Sequence, residues 1–351
     1  MSPEAPLATQ QAIRLLQSGD ALSGALTEQV FGEIMAGKAS PGQIGAILMG
    51  LSIRGETAQI VAGAAKAMRA ASTRISPNAK GLIDTCGTGG TGGKGGAKMF
   101  NISTAVSLVV AACGVPVAKH GNRAMTSKSG SADVLEALGV NLDLSPIQVS
   151  SSIDTIGIGF LFAQKLHPAM RHAGPVRREL GVRTIFNLLG PLTNPAGAEY
   201  QVLGVFSKDK LELVAGALQQ LGIKRALVVH GRDGLDEITT TTITDAILVE
   251  DGQPLSPFEI DPAAFGMPYA APEALRGDDA KTNAAILRHI FAGQTGAGRD
   301  IVLLNAAAAL WVAGKVNGIP DGLAMAAEAI DSGKVSQTLE KLITFTRQAS
   351  E

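Results

Sequence analysis

The 351-residue sequence has only two cysteines, Cys86 and Cys113, and no Cys-x-x-Cys pair. Neither a disulfide framework nor a cysteine zinc site is suggested, and a reducing, cytosolic setting is expected. Net charge is nearly absent: 30 Lys+Arg oppose 31 Asp+Glu, a formal −1. No global field would draw such a chain to nucleic acid or to an anionic membrane. Long apolar runs are missing too. The longest uncharged apolar segments, 102–118 and 301–314, fall short of the ~20 residues that span a bilayer, so both are expected in the core. The first residues carry an acid and two prolines where a secretory leader needs a basic start and an apolar stretch, so no export is expected. There is no His-Glu-x-x-His and no Gly-x-Ser-x-Gly, which leaves zinc hydrolysis and acyl-serine chemistry without support.

What is present is apolar residue and glycine. Hydrophobic residues make up 46% of the chain and charged ones 17%, enough apolar material for a large core. From Ala8 to Ala71 apolar residues recur at helical spacing, predicting three or four short helices as a packing or dimerisation domain. Ser40-Pro41-Gly42-Gln43 reads as a capped helix start with Gly55 as its end, and Ser145-Pro146-Ile147-Gln148 repeats the signature. After the polar turn at 76–81 the pattern changes to short β-like runs alternating with helical ones, which implies a mostly parallel sheet. Strands are predicted at 82–86, 115–118, 156–162, 200–206 and 226–230. Helices are predicted at 103–112, 131–138, 145–152, 168–180, 208–221, 280–292, 301–316 and 321–332. The fold class expected is α/β: a small α-helical domain over 1–76, joined by the helical segment around 166–187, and a large α/β domain over 77–351.

The glycines cluster. Seven of the ten positions 87–96 are glycine, directly after a predicted strand and shortly before a predicted helix, where backbone N–H groups can turn onto an anion. Gly87-Thr-Gly-Gly-Thr-Gly92 matches Gly-x-Gly-x-x-Gly, but the acid that a dinucleotide site wants ~20 positions later is missing. A Walker loop fails as well, because Lys94 and Lys98 lack its flanking residues. From Thr85 to Ala132 the chain holds Lys94, Lys98, Lys119, Arg123 and Lys128 and no acid, a local +5 that calls for an anion. Two successive strand-loop-helix segments, 84–104 and 115–132, suit a ligand with phosphates at two places. Further on, Asp236-Glu237 follows the predicted strand 226–230, at the edge where α/β sheets bind ligands. Adjacent carboxylates there read either as a solvated turn or as Mg²⁺ ligands beside substrate phosphates.

Six motifs in order, Asp84-x-x-Gly-Thr-Gly-Gly90, Asn101-Ile-Ser-Thr104, Lys119-His-Gly-Asn-Arg123, Ser129-Gly-Ser-Ala-Asp-Val-Leu-Glu-Ala-Leu-Gly139, Arg183-Thr-Ile-Phe-Asn-Leu-Leu-Gly-Pro-Leu-Thr-Asn-Pro195 and Gly234-Leu-Asp-Glu237, resemble the anthranilate phosphoribosyltransferases. The resemblance runs over essentially the whole chain. It implies a helical domain plus an α/β domain of the nucleoside phosphorylase/phosphoribosyltransferase kind, homodimeric through the N-terminal helices, and a Mg²⁺-dependent transfer from phosphoribosyl pyrophosphate to anthranilate. By resemblance, Gly87, Gly90, Thr91, Asn101, Ile102, Ser103, Thr104, Lys119, His120, Gly121, Asn122, Arg123, Ala124, Met125, Thr126, Ser127 and Ser131 hold phosphoribosyl pyrophosphate. Ser103, Asp236 and Glu237 hold Mg²⁺, Asn122 and Arg177 hold anthranilate, and His120, Asn122 and Arg177 are the catalytic candidates. Two rival readings stay open: a pyrimidine nucleoside phosphorylase, whose family shows Lys-His-Ser-Thr-Gly-Gly where this chain has Lys119-His-Gly-Asn-Arg, and a non-catalytic nucleic-acid-binding relative.

The chain departs from the family at Thr91, where an Asp is usual, and in a glycine loop longer by four residues. With no acid in that loop to attract a second ion, excess Mg²⁺ is expected to inhibit weakly or not at all, and the loop is expected to be disordered without substrate. Thr91→Asp should make inhibition by excess Mg²⁺ appear or sharpen; superimposable magnesium titrations of wild type and variant would show the loop to be inert.

Overall fold

The computed structural model describes residues 7–89, 99–124 and 128–349. Four helices, α1 (Ala8–Ser18), α2 (Gly24–Met35), α3 (Pro41–Arg54) and α4 (Ala58–Ala70), form the N-terminal bundle. The start of α3 is the capping box read from sequence: Ser40 Oγ accepts the Gln43 N–H and Gln43 Oε1 accepts the Ser40 N–H, with Pro41 in the first turn. Gly55 ends it at φ 86°, a left-handed backbone that favours glycine. Helices α2 and α4 touch backbone to backbone, because a Cβ on Gly63 would stand 2.2 Å from the Gly24 carbonyl oxygen.

The α/β part opens with β1 (Ile83–Gly87), α5 (Ile102–Ala112), β2 (Val117–Gly121), α6 (Ser131–Leu138), α7 (Pro146–Ile156) and β3 (Ile158–Phe162). It continues through α8 (Ala163–Leu166), α9 (Met170–Leu180), α10 (Phe186–Leu192), β4 (Tyr200–Gly204), α11 (Leu211–Gln220), β5 (Arg225–Gly231), β6 (Thr244–Glu250) and β7 (Ser256–Ile260). Helices α12 (Ala280–Phe291), α13 (Ala297–Val312), α14 (Ile319–Asp331) and α15 (Lys334–Gln348) complete it. The seven strands run in the order β3-β2-β1-β4-β5-β6-β7, parallel from β3 to β5 and antiparallel thereafter. Chain order reverses at β1 and β4, so the crevice at their C-terminal ends is the switch point where open α/β sheets take ligands.

Two apolar cores flank the sheet. One joins Val106 and Leu108 of α5 to Leu304 of α13 and Leu339 of α15. The other runs from Phe31 and Leu48 of the bundle through Leu189 of α10 to Val214 of α11 and Val228 of β5, so the helical bundle shares its core with the sheet. Helix α9 packs against α2 and α3, and α4 against α11.

All five predicted strands form, with shifted ends. The shift at β2 matters: predicted to stop at Ala118, it continues to Gly121, which places Lys119 and His120 within the sheet. The antiparallel β6 and β7 were not predicted; β7 is a short, largely exposed edge strand with Pro257 inside, a poor strand signal. The short helix α10, with Pro191 inside, and the last helix α15 were also missed. The predicted helix 301–316 begins four residues earlier and ends at Val312.

Candidate active site

The strands end in glycine at the switch point. Gly87 of β1 lies beside Gly204 of β4. A Cβ on Gly204 would stand 1.6 Å from the Asp236 carbonyl oxygen, and one on Gly87 would stand 2.3 Å from Asp236 Oδ2. Only glycine at both places lets the turn after β5 lie across the strand ends. Asp236 Oδ2 accepts the Gly89 N–H at 2.8 Å, which fixes this turn to the first residues of the glycine loop. Gly204→Ala is therefore expected to displace the 234–237 turn and abolish activity at ordinary Mg²⁺ while the chain still folds; wild-type turnover in that variant would contradict the geometry.

Beneath the turn, Lys119 is buried and its ammonium donates to the Thr85 carbonyl at 2.6 Å and to Ser103 Oγ at 3.3 Å. Burial lowers its pKa, opposed by the negative charge of Asp84 and Glu237. Burial and the adjacent Asp236 push Glu237 up, while Lys119 and the Ser103 backbone pull it back. Asp84, fully buried, is raised by burial and held by Lys119, by Asn194 Nδ2 at 2.8 Å and by the His120 N–H at 3.1 Å. The donor set Ser103, Asp236 and Glu237 consists of hard oxygens, and a cation there would relieve the crowding that disfavours the Glu237 carboxylate. Among the described residues no three His, Cys, Asp or Glu gather as a metal cage. Two carboxylates and a hydroxyl suit Mg²⁺, which takes one or two carboxylates and completes its shell with water and substrate phosphates.

The N-terminus of α5 is only partly satisfied: the Ser103 N–H is held by the Glu237 carboxylate. Asn101, its N-cap, makes no side-chain capping bond. Thr104 has a buried hydroxyl without a partner, and its N–H finds no acceptor among the described residues. An unpaired hydroxyl and N–H at a helix start form a ready seat for an anion. The Asn101 amide turns instead to Ser129, accepting from its Oγ at 3.1 Å and donating to its carbonyl at 3.3 Å. Asn122 Oδ1 accepts the Arg123 N–H, and Ser131 Oγ donates to the Asn122 carbonyl. Gly121 allows that approach, since a Cβ there would stand 2.1 Å from Ser131 Oγ.

A third group gathers on α10. His120 and His167 face each other with Nε2 atoms 3.1 Å apart, and the Gly190 backbone supports His120. Burial, with the facing imidazole, pushes His120 down to about 3, and burial pushes His167 to about 4. Both rings are neutral at pH 7, so neither is an acid there. In the unfolded chain they titrate near 6.5. Below that pH the unfolded chain binds protons that the folded one refuses. The pair's stabilisation is thus complete above pH 6.5 and is lost as pH falls toward the folded values. Wild type should lose melting temperature between pH 7 and 5 more steeply than His167→Gln; parallel curves would count against the buried pair. Arg177 on α9 lies over the Phe186 ring of α10, 5.0 Å from its centroid. It is half-buried, no carboxylate pairs with it among the described residues, and burial lowers its pKa.

Several expectations need correction. Three of the five local cations, those within the described residues, are compensated from elsewhere: Arg123 pairs with Asp133 and Glu136, Lys128 with Asp278, and Lys119 faces Asp84 and Glu237. The Arg123 guanidinium is thus held on α6 and over the Phe162 ring, and its N–H is held by Asn122 Oδ1. Ile102 is a core side chain. Ala124 donates its N–H to Asp133. Gly90, Thr91, Lys94, Lys98, Met125, Thr126 and Ser127 lie outside the described residues, as does the lengthened glycine loop. Sequence reading missed Asp84, Asn194 and His167 as members of the site; an acid inside a predicted strand was the available signal for Asp84.

Residues 79–336 match the a/b domain of the Glycosyl transferase family, and residues 10–72 its helical bundle domain. The anthranilate phosphoribosyltransferase of Acetivibrio thermocellus is 52% identical, covering 96% of each chain. That of Rhodospirillum rubrum is 53% identical over 95% of this chain and 94% of its own. The crystal structure of the Thermus thermophilus enzyme superposes with a TM-score of 0.91 at 44% identity, covering 97% of this chain and all of that one. The Saccharomyces cerevisiae enzyme in complex with PRPP and Mg gives a TM-score of 0.88 at 25% identity, over 97% of this chain and 98% of that one. With both domains matched in order and half of all residues shared with enzymes of the same name and length, the chain belongs to the anthranilate phosphoribosyltransferase family.

Proposed function

We propose that the crevice at the β1/β4 switch point binds phosphoribosyl pyrophosphate and that its ribosyl group passes there to the amine of anthranilate, as in tryptophan biosynthesis. The chain is a pentosyltransferase, and its metal is Mg²⁺. The observation that carries the site assignment is the unpaired Thr104 hydroxyl and N–H at the start of α5, next to Ser103, whose N–H meets Glu237 of the Asp236-Glu237 pair. Ser103, Asp236 and Glu237 would hold the ion, which when bound supplies charge compensation for the departing pyrophosphate. The anthranilate amine forms its bond to the anomeric carbon as the carbon–oxygen bond breaks and the electron pair leaves with pyrophosphate. The nitrogen then gives up one of its two protons to water or to the departing pyrophosphate.

No strong base is required, because an aromatic amine is a neutral nucleophile at pH 7 and positioning does much of the work. His120 and His167 are neutral and shape the acceptor pocket, and Arg177 grips the anthranilate carboxylate with its unpaired guanidinium. Thr104, Lys119 and Asn101, with the segment 121–124 and Ser131, hold the donor. The homodimer expected through the N-terminal helices belongs with the same reading. No described helix is long and apolar enough to cross a membrane; a cytosolic location belongs with the same reading, since so charged a donor does not cross a bilayer unaided. Phosphorus NMR tests the proposal: pyrophosphate should appear from phosphoribosyl pyrophosphate and Mg²⁺ only when anthranilate is added, mole for mole with its consumption. Release independent of anthranilate, or orthophosphate-dependent cleavage of nucleosides, would overturn it.

A further inference from the structure

Asn283 lies on α12, 182 positions from Asn101, and is 1% exposed. Its side chain is fully engaged. Oδ1 accepts the Asp278 N–H at 2.8 Å, and Nδ2 donates to Asn101 Oδ1 at 3.0 Å and to the Asp278 carbonyl at 3.4 Å. The corner it secures, residues 276–279, presses on the chain just before α5: Met99 bridges Arg276, and a Cβ on Gly277 would stand 2.6 Å from Phe100 N and Cα. The same corner takes the Lys128 ammonium on Asp278, one residue before Ser129. One buried amide therefore ties together the helix-proximal ends of both strand-loop-helix segments.

Asparagine is among the strongest helix N-caps, and its natural partner is an N–H of the first turn. Here Asn101 occupies the N-cap position and does not cap. Its Oδ1 is instead taken by two donors, Asn283 Nδ2 and Ser129 Oγ. The first-turn N–H that it forgoes at Thr104 finds no other acceptor among the described residues. Leaving such donors unpaired is costly in a resting protein, but it keeps them available to a bound phosphate.

We infer that Asn283 is a positioning residue for the phosphorylated donor: it diverts Asn101 from capping α5 and so keeps the Thr104 N–H of that helix start available to a phosphate group. The inference rests on the reading of the α5 N-terminus as part of the phosphoribosyl pyrophosphate site. Once Asn283 is removed, Asn101 Oδ1 loses one of its two donors and the amide, held then by Ser129 alone, can exchange onto the Thr104 N–H and compete with the ligand.

The test is steady-state kinetics on the full chain with phosphoribosyl pyrophosphate varied at saturating anthranilate and Mg²⁺. Asn283→Ala should raise KM for phosphoribosyl pyrophosphate about fivefold, the competition expected of one side-chain cap, with kcat and the KM for anthranilate little changed. Asn283→Leu keeps the volume and removes the donor, and should do the same if the alanine variant folds poorly. In an Asn101→Ala background, where no side chain can cap, the further change Asn283→Ala should leave KM unmoved. A melting temperature lowered with KM unchanged, or a KM effect of equal size in the Asn101→Ala background, would overturn the inference and leave Asn283 a packing residue. Absence of turnover in the wild type would instead overturn the reading of the site itself.

Discussion

Replacing both carboxylates of the turn, Asp236→Asn with Glu237→Gln, should cost at least about a hundredfold in turnover at ordinary Mg²⁺, a loss of the size seen when charge stabilisation of a leaving group is removed. Amides keep the shape and can still accept the Gly89 N–H that Asp236 now receives, but they bring no charge to a cation. The fold should not suffer. Burial and the neighbouring Asp236 both disfavour the Glu237 carboxylate, so neutralising the pair removes a repulsion and the melting temperature should hold or rise. Part of the lost rate should return as Mg²⁺ is raised, because pyrophosphate still binds the ion. Turnover with normal metal dependence in this variant would mean that the turn is only a lid on the strand ends.

Arg177→Ala should be as selective as the first variant is general. A charge-assisted bond to a carboxylate contributes ~1.5–3 kcal/mol, which corresponds to roughly a tenfold to hundredfold rise in KM for anthranilate. The KM for phosphoribosyl pyrophosphate should barely change, since Arg177 sits on α9 against Phe186 of the acceptor pocket. Its guanidinium has no carboxylate partner among the described residues, so its removal orphans nothing inside the protein. Arg177→Lys should recover part of the loss, because a point charge replaces a planar fork incompletely. An unchanged KM for anthranilate would take Arg177 out of the acceptor pocket.

What could be read from the sequence was mostly local. The capping boxes at Ser40 and Ser145 are spelled within four residues and appear as predicted. The parallel strands announced themselves as short apolar runs between helices, while β7, with Pro257 and little burial, had no such signature. The site divides the same way. Glycines 87 and 121 mark themselves, but the reason for Gly204 is a carbonyl 32 positions away at Asp236. Lys119 looked like a phosphate cation because the acids facing it, Asp84 and Glu237, stand outside the acid-free window. Arg123 and Lys128 looked free for the same reason, their partners Glu136 and Asp278 being supplied by the folded chain. Asn283 carried no sequence signal at all, since its meaning lies in a hydrogen bond that spans 182 positions. The six contiguous motifs nevertheless sufficed for the family, because a phosphate-binding backbone loop is written in consecutive residues.

The central claim is one of bond making at a single crevice, and anthranilate fluorescence reads it directly. With pure protein, anthranilate and Mg²⁺, adding phosphoribosyl pyrophosphate should extinguish the signal progressively, at a rate proportional to protein and sensitive to chelation of the metal. A signal that stays constant, or that falls equally without phosphoribosyl pyrophosphate, would contradict the account.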